Sequence, residues 1–287
     1  MKKLLIPTDF SEKSINTALY GIDLAEVLQK EVVLVNVIDL SRYTANYQET
    51  TGVAPYLPDI RDLRNASEKQ FEELMAVIEK KTGKSKQIGT VIETGIFADK
   101  IIDMSEAEDT YMIILTGRSE HNFLDRFISD MNQEIVEDAR CPVFIVPPEA
   151  KFTGIQKIIY ATNYHEADIG SLAKLSELAE IFDAHINALH ITRDDNFKNQ
   201  IRERGFKNLV REKSGYTHID ITSVKGDSII EDIDKFAHET KSDLISIMKE
   251  NRGFLEDLFT SSSTRKLIMH TKLPVLVFHE KSFIKKE

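Results

Sequence analysis

Residues 4–19 read LLIPTDFSEKSINTAL: an apolar run stops at a Pro-Thr-Asp turn, and a helical pattern begins at once. Residues 158–172, IIYATNYHEADIGSL, repeat the arrangement. A short apolar run bounded by turn formers reads as a buried strand. Beyond the turn, Ile15, Ala18, Leu19, Ile22, Leu24, Ala25 and Leu28 recur near helical spacing, with Ser11 placed to cap the helix. Residues 166–182 match this with Ile169, Leu172, Leu175, Leu178, Ala179 and Phe182.

The repeat extends along the chain. VVLVNVID (32–39) corresponds to INALHITR (186–193), VIETG ending at Gly95 to TSVKG ending at Gly226, and CPVFIV (141–146) to LPVLVF (273–278). The spacing between copies shrinks by roughly two dozen residues midway, which places an insertion in the first copy between its second and third strands. Strands alternating with helices imply βαβ units around a parallel sheet covered on both faces. The first copy is predicted to hold β1 near 3–8, β2 near 32–38, β3 near 89–94, β4 near 111–116 and β5 near 143–147, with counterparts in the second. Residues 146–154, VPPEAKFTG, read as the linker, giving domains at 1–148 and 155–287.

Composition bounds the function. At 287 residues the chain exceeds one typical domain, and each half is large enough to bury a core. No apolar run approaches the roughly 20 residues of a membrane span. Pro7 and Asp9 interrupt the N-terminal apolar run before it could form a signal sequence. The lone cysteine, Cys141, excludes an internal disulfide and fits a reducing cytoplasm. A net charge of -10 argues against a nucleic-acid partner. The eight histidines show neither H-x-x-x-H nor H-x-H spacing, so no metal site is expected.

The opening apolar run with P-T-D and S-x-x-S, the glycine before the third helix and the closing C-P-V-F-I-V resemble the universal stress protein (UspA) family, here twice in tandem. The resemblance implies two tandem, doubly wound, five-stranded parallel-sheet α/β domains, UspA-like and of the Rossmann-like HUP type. In such sheets a ligand enters at the carboxyl ends of the strands, where strand order reverses. The nucleotide-binding residues carried over by the resemblance are Pro7, Thr8, Asp9 and Val37 in the first copy, with Thr162, Asn163 and Ile191 (after Ala161) in the second. The family's phosphate element, G-x2-G-x9-G-[S/T] after β4, is altered. In TGRSEHNFLDRFISDMN (116–132) it falls on Gly117, Glu120, Asp130 and Met131, or in another register on Thr116, Ser119, Ser129 and Asp130. In the second copy it falls on Met248, Asn251, Ser261 and Ser262. Either first-copy register puts an acid where phosphate should rest, and side chains in place of glycines narrow the cradle. Hydroxyls in TSSST (260–264), near Arg252, Arg265 and Lys266, leave the second copy the better anion site or an ordinary helix cap.

Other readings stay open at this level. Asp9 suits either a ribose or adenine contact or a helix cap, and Asn163 caps equally well without charge. Residues 196–213 carry six Lys and Arg against two Glu, with Phe197, Ile201, Leu209 and Val210 as an apolar stripe, and read as a solvated surface helix or an anionic-partner site. The insertion at 41–59, with Tyr43, Tyr47 and Tyr56, reads as a lid, a binding surface or a disordered loop.

The resulting expectation is a cytoplasmic tandem stress-response protein that binds and signals with a degenerate nucleotide site. The alternative is retention of ATP or AMP in one domain. Its partners are expected to be an intramolecular pairing of the two domains, a homodimer, and a small anionic ligand or a protein. Enzymatic relatives on this fold are not matched: S-G-G-x-D-S, H-I-G-H, G-x-S-x-G and the P-loop are all missing from the sequence.

Overall fold

The computed structural model describes residues 2–40, 58–83, 88–117, 130–194, 197–249 and 272–279. The chain divides into two units: the described residues up to Thr116 together with 130–141, and Gly117 with the described residues from Pro142 onward.

In the first unit β1 (Lys3–Pro7) feeds α1 (Glu12–Leu28) and β2 (Glu31–Ile38). Then come α2 (Ile60–Thr82), β3 (Ile88–Thr94), α3 (Phe97–Ser105), β4 (Thr110–Thr116) and α4 (Asp130–Asp138). The strands run parallel in the order β3-β2-β1-β4, so successive strands step to one side of β1 and the chain then returns to its other side. Leu4, Leu5 and Ile6 are fully buried, as expected of a central parallel strand covered on both faces. Helix α1 packs on β1, β2 and β4. Gly21 permits that approach, since a Cβ there would overlap the Ile6 side chain and come within 3.0 Å of Ile114 Cδ1. Ser11 caps the helix as its sequence position predicts, its hydroxyl accepting the Ser14 N–H at 3.3 Å.

The second unit contains β5 (Val143–Val146), β6 (Lys157–Ala161), α5 (Ala167–Phe182), β7 (His185–Thr192) and α6 (Phe197–Ser214). It continues with β8 (Ile219–Lys225), α7 (Ile229–Thr240), β9 (Leu244–Lys249) and β10 (Val275–His279). Its order is β5-β10-β9-β6-β7-β8, the same reversal about a first strand. All pairs are parallel except β5 with β10, which run antiparallel with Val275 opposite Ile145, Leu276 opposite Phe144 and Val277 opposite Val143. Strand β5 closes the first repeat in sequence yet is built into the second unit.

Helix α6 corrects one detail. The apolar side chains it buries are Phe206 and Val210, whereas Phe197, Ile201 and Leu209 are exposed. The inward face follows Phe206 and Val210, four residues apart, and not the stripe drawn through Phe197 and Ile201. No described helix is long and apolar enough to cross a membrane.

Candidate functional site: the loop after the first strand

The two units build the same loop from different side chains. In the first, the Thr8 N–H donates to Val35 O at 2.8 Å, carrying the chain off the end of β1 against β2. The Thr8 hydroxyl accepts the Phe10 N–H at 3.0 Å and pairs with the Ser14 hydroxyl at 3.0 Å. Asp9 Oδ1 accepts the Ser11 N–H at 3.0 Å. These bonds hold Phe10 at φ 62°, a left-handed conformation uncommon outside glycine. Asp9 is thus an Asx-turn residue, leaving the cap to Ser11, and it is exposed. Partial burial pulls its carboxyl upward, but hydrogen bonds from the Ser11 side chain and N–H and from the Ser14 side chain outweigh that pull and hold it below the usual carboxylate range.

Above this loop, at the carboxyl ends of β1, β2 and β4, lies a cleft of about 570 Å³. One wall is Pro7, Thr8, Asp9 and Phe10; Asn36, Val37 and Asp39 follow from the end of β2, Thr116 from β4, and Ser67 and Gln70 from α2. Strand order reverses between β1 and β4, so the cleft stands where doubly wound sheets take ligands. Pro7, Thr8, Asp9 and Val37, selected from sequence, all line it. Thr8 is 4% exposed and its hydroxyl is used by the loop, so it shapes the site from within. Asn36 was not selected, yet its Nδ2 donates to Thr8 O at 2.9 Å and its Oδ1 accepts the Ser67 hydroxyl at 3.0 Å, tying loop, strand and α2 together. The sequence signal was one amide in the apolar run 32–38.

In the second unit the corresponding bonds recur. The Thr162 N–H donates to Leu189 O at 3.0 Å, its hydroxyl accepts the Tyr164 N–H at 2.9 Å, and Asn163 Oδ1 accepts the His165 N–H at 3.0 Å. Tyr164 stands at φ 62°. His190 replaces Asn36, its Nδ1 lying 2.9 Å from Thr162 O and therefore carrying the proton. The His190 ring sits 4.4 Å from that of Tyr164, which also lies 5.2 Å from Phe206. Burial raises the Tyr164 phenol to about 12, with the Glu203 carboxylate adding to the effect.

The larger difference lies beneath the loop. Asp168 stands where the first repeat has Ser14, and Tyr160 where it has Ile6. Asp168 is 3% exposed and accepts from the Tyr160 hydroxyl at 2.7 Å, the Thr162 hydroxyl at 2.6 Å and the His165 N–H at 3.1 Å; Tyr160 also meets Ser171. Burial pushes this carboxyl up, against the pull of its donors. Comparing the two copies position by position shows the exchange, but only pairing Thr162 with Asp168 in space shows its purpose.

Of the remaining sequence candidates, Ile191 lies half-buried in β7. Gly117 follows β4, its N–H donating to Val146 O at 2.7 Å; a Cβ there would come within 3.1 Å of the same oxygen. Ser261 and Ser262 lie outside the described residues, as do Ser119, Glu120, Ser129 and residues 41–57 of the insertion. Among the described residues no cluster of three or more His, Cys, Asp or Glu could hold a metal.

A twice-built βαβ sheet with a cleft at the strand-order reversal of its first copy defines a tandem α/β protein. Residues 1–147 and 154–279 each match the universal stress protein family, and the chain belongs to it. Among its relatives, universal stress protein MJ0531 of Methanocaldococcus jannaschii is 26% identical over 155 residues, covering 52% of this chain and 84% of that protein. MJ0577 of the same organism is 26% identical over 153 residues, covering 50% of this chain and 94% of its own length. In solved structures, a universal stress protein from Archaeoglobus fulgidus superposes with a TM-score of 0.74 at 17% identity, covering 97% of this chain and 98% of its own, a likeness of fold.

Proposed function

We propose that this tandem universal stress protein acts in the cytoplasm as a stress-response receptor, by binding rather than by catalysis, and that its first unit takes the adenine-ribose end of ATP or AMP. The cleft of about 570 Å³ carries this reading, because Asp9 and Val37 stand together on its wall at the strand-order reversal. Asp9 stays ionised at neutral pH and accepts ribose hydroxyls, while Val37 offers backbone groups to a base edge. Val37, Leu115 and Phe97 supply apolar surface for a ring, and Asp39 adds a second carboxylate to the lining. The loop is already held by four hydrogen bonds, so little conformational freedom need be lost on binding. The receptor is proposed to act as a homodimer, with ligand occupancy or a protein partner carrying the signal onward.

Calorimetric titration of the purified chain with adenosine, AMP and ATP tests the reading. Asp9→Ala is expected to weaken binding about 10-fold or more, the loss typical of a hydrogen bond to a charged group. Asn163→Ala is expected to leave it unchanged. Absence of binding by all three compounds, or equal binding to the Asp9 variant, would refute the assignment.

A further inference from the structure

We infer that Asn36 is the specificity-determining residue of the first-unit cleft, presenting a single fixed hydrogen-bond donor to which the ligand must offer an acceptor. The inference rests on the nucleoside reading above and names the group that selects among ring systems.

A side-chain amide has two acceptor lone pairs and two N–H donors, and in solution either end can face either way. At Asn36 the protein removes that freedom. Thr8 O is a backbone carbonyl, an acceptor only, so the end facing it at 2.9 Å must be Nδ2. Flipping the amide would set oxygen against oxygen there. The other end, Oδ1, accepts the hydroxyl of Ser67, a residue 6% exposed on α2. What remains on Nδ2 is one N–H, for which the described residues supply no further partner. Asn36 lines the cleft beside Asp9 and Val37. The lining thus carries an acceptor, Asp9, and a donor that cannot reverse itself. A bound ring must present an unprotonated acceptor at Asn36, as the ring nitrogens of a purine do.

The second unit offers the contrast. His190 keeps the tie to the loop carbonyl through Nδ1, but its ring lies tilted against Tyr164 and supplies no second amide hydrogen. Residues 36 and 190 therefore share the task of holding the loop, and only Asn36 adds a donor for a ligand.

Two measurements on the full-length chain test this. In the first, adenosine and its 1-deaza, 3-deaza and 7-deaza analogues, each lacking one ring nitrogen, are titrated into wild-type protein, Asn36→Leu and Ser67→Ala. Asn36→Leu is expected to weaken adenosine about 10-fold, the size of one net hydrogen bond. One deaza analogue should show the same loss on wild type and no further loss on the Leu variant. Ser67→Ala, which removes one of the amide's two anchors but leaves Nδ2 on Thr8 O, should fall between. A merely structural role for Asn36 would weaken every analogue alike on the Leu variant, and that result overturns the inference, as does unaltered adenosine binding.

The second measurement needs no ligand. The two Asn36 side-chain amide protons, assigned in a ¹⁵N spectrum by their disappearance in Asn36→Leu, should differ in temperature coefficient, one small as in a hydrogen bond and one solvent-like. Two solvent-like or two protected protons overturn the single-donor claim. Failure of adenosine to bind wild-type protein would instead refute the nucleoside reading and with it the purine acceptor, and the spectrum keeps that failure distinct from failure of the donor.

Discussion

Replacing Asp168 probes the least conventional feature of the second unit. Its carboxylate is 3% exposed and accepts from the hydroxyls of Tyr160 and Thr162 and the N–H of His165. In Asp168→Ala, the His165 N–H keeps Asn163 Oδ1 and the Tyr160 hydroxyl keeps Ser171, but the Thr162 hydroxyl loses the acceptor to which it donates. Leaving that group unsatisfied costs about 1–3 kcal/mol, and removing the buried carboxyl leaves a small void that adds about 1 kcal/mol. Relief of the charge's desolvation offsets part of this at neutral pH. The sign of the pH dependence follows from the direction of the shift. The folded-state pKa is raised above the unfolded value, so the stabilisation is complete below the unfolded pKa and is lost as pH rises through the folded one. Asp168→Ala is therefore expected to destabilise by about 2–4 kcal/mol at pH 4, with a smaller loss at pH 8. Asp168→Asn should flatten the pH profile across the same window. Urea unfolding at pH 4, 6 and 8, with amide exchange at residues 162–165 to localise the effect, provides the measurement. An Ala variant equally destabilised at every pH, or an Asn variant with the wild-type slope, would refute the reasoning.

Two further predictions concern packing and reactivity. Gly21→Ala improves helix propensity by about 1 kcal/mol yet drives a methyl into Ile6 and Ile114, both fully buried, so a net loss of about 1–2 kcal/mol is expected in thermal or urea unfolding; a gain in stability would show that α1 can lift from the sheet without cost. Burial raises the Cys141 thiol to about 12, so it stays protonated at pH 8 and should react with a disulfide reagent only after unfolding. Rapid labelling of the native protein would contradict its burial.

The fold was readable because its elements carry strong periodic signals. Leu4, Leu5 and Ile6 form an unbroken apolar run, Ser11 stands at a capping position, and the whole pattern occurs twice, so each copy checks the other. The loop after β1 was readable too, since Thr8, Asp9, Thr162 and Asn163 are turn formers, each accepting from an N–H just two residues along the chain. Asn36 and Ser67 were invisible as a pair because 31 residues and an insertion separate them. Asp168 was concealed differently: a carboxylate in the first turn of a helix normally reads as a solvated dipole partner, and only the neighbouring strand's Tyr160 turns it into a buried acceptor. The stripe assigned to α6 failed for a related reason, since periodicity gives a face but not the direction it points.

The pairing of β5 with β10 bears on how this gene product can be taken apart. A fragment beginning at Ile155 would carry every strand of the later repeat and still lack Val143, Phe144 and Ile145, leaving one side of β10 with bare amides and carbonyls over three residue pairs. Phe144, fully buried in the intact chain, would be missing from the hydrophobic interior of that fragment. Such an uncovered border invites strand addition by any extended chain, so the isolated later half should be sticky and prone to self-association, while a version begun a few residues before Val143 should keep that side of β10 paired.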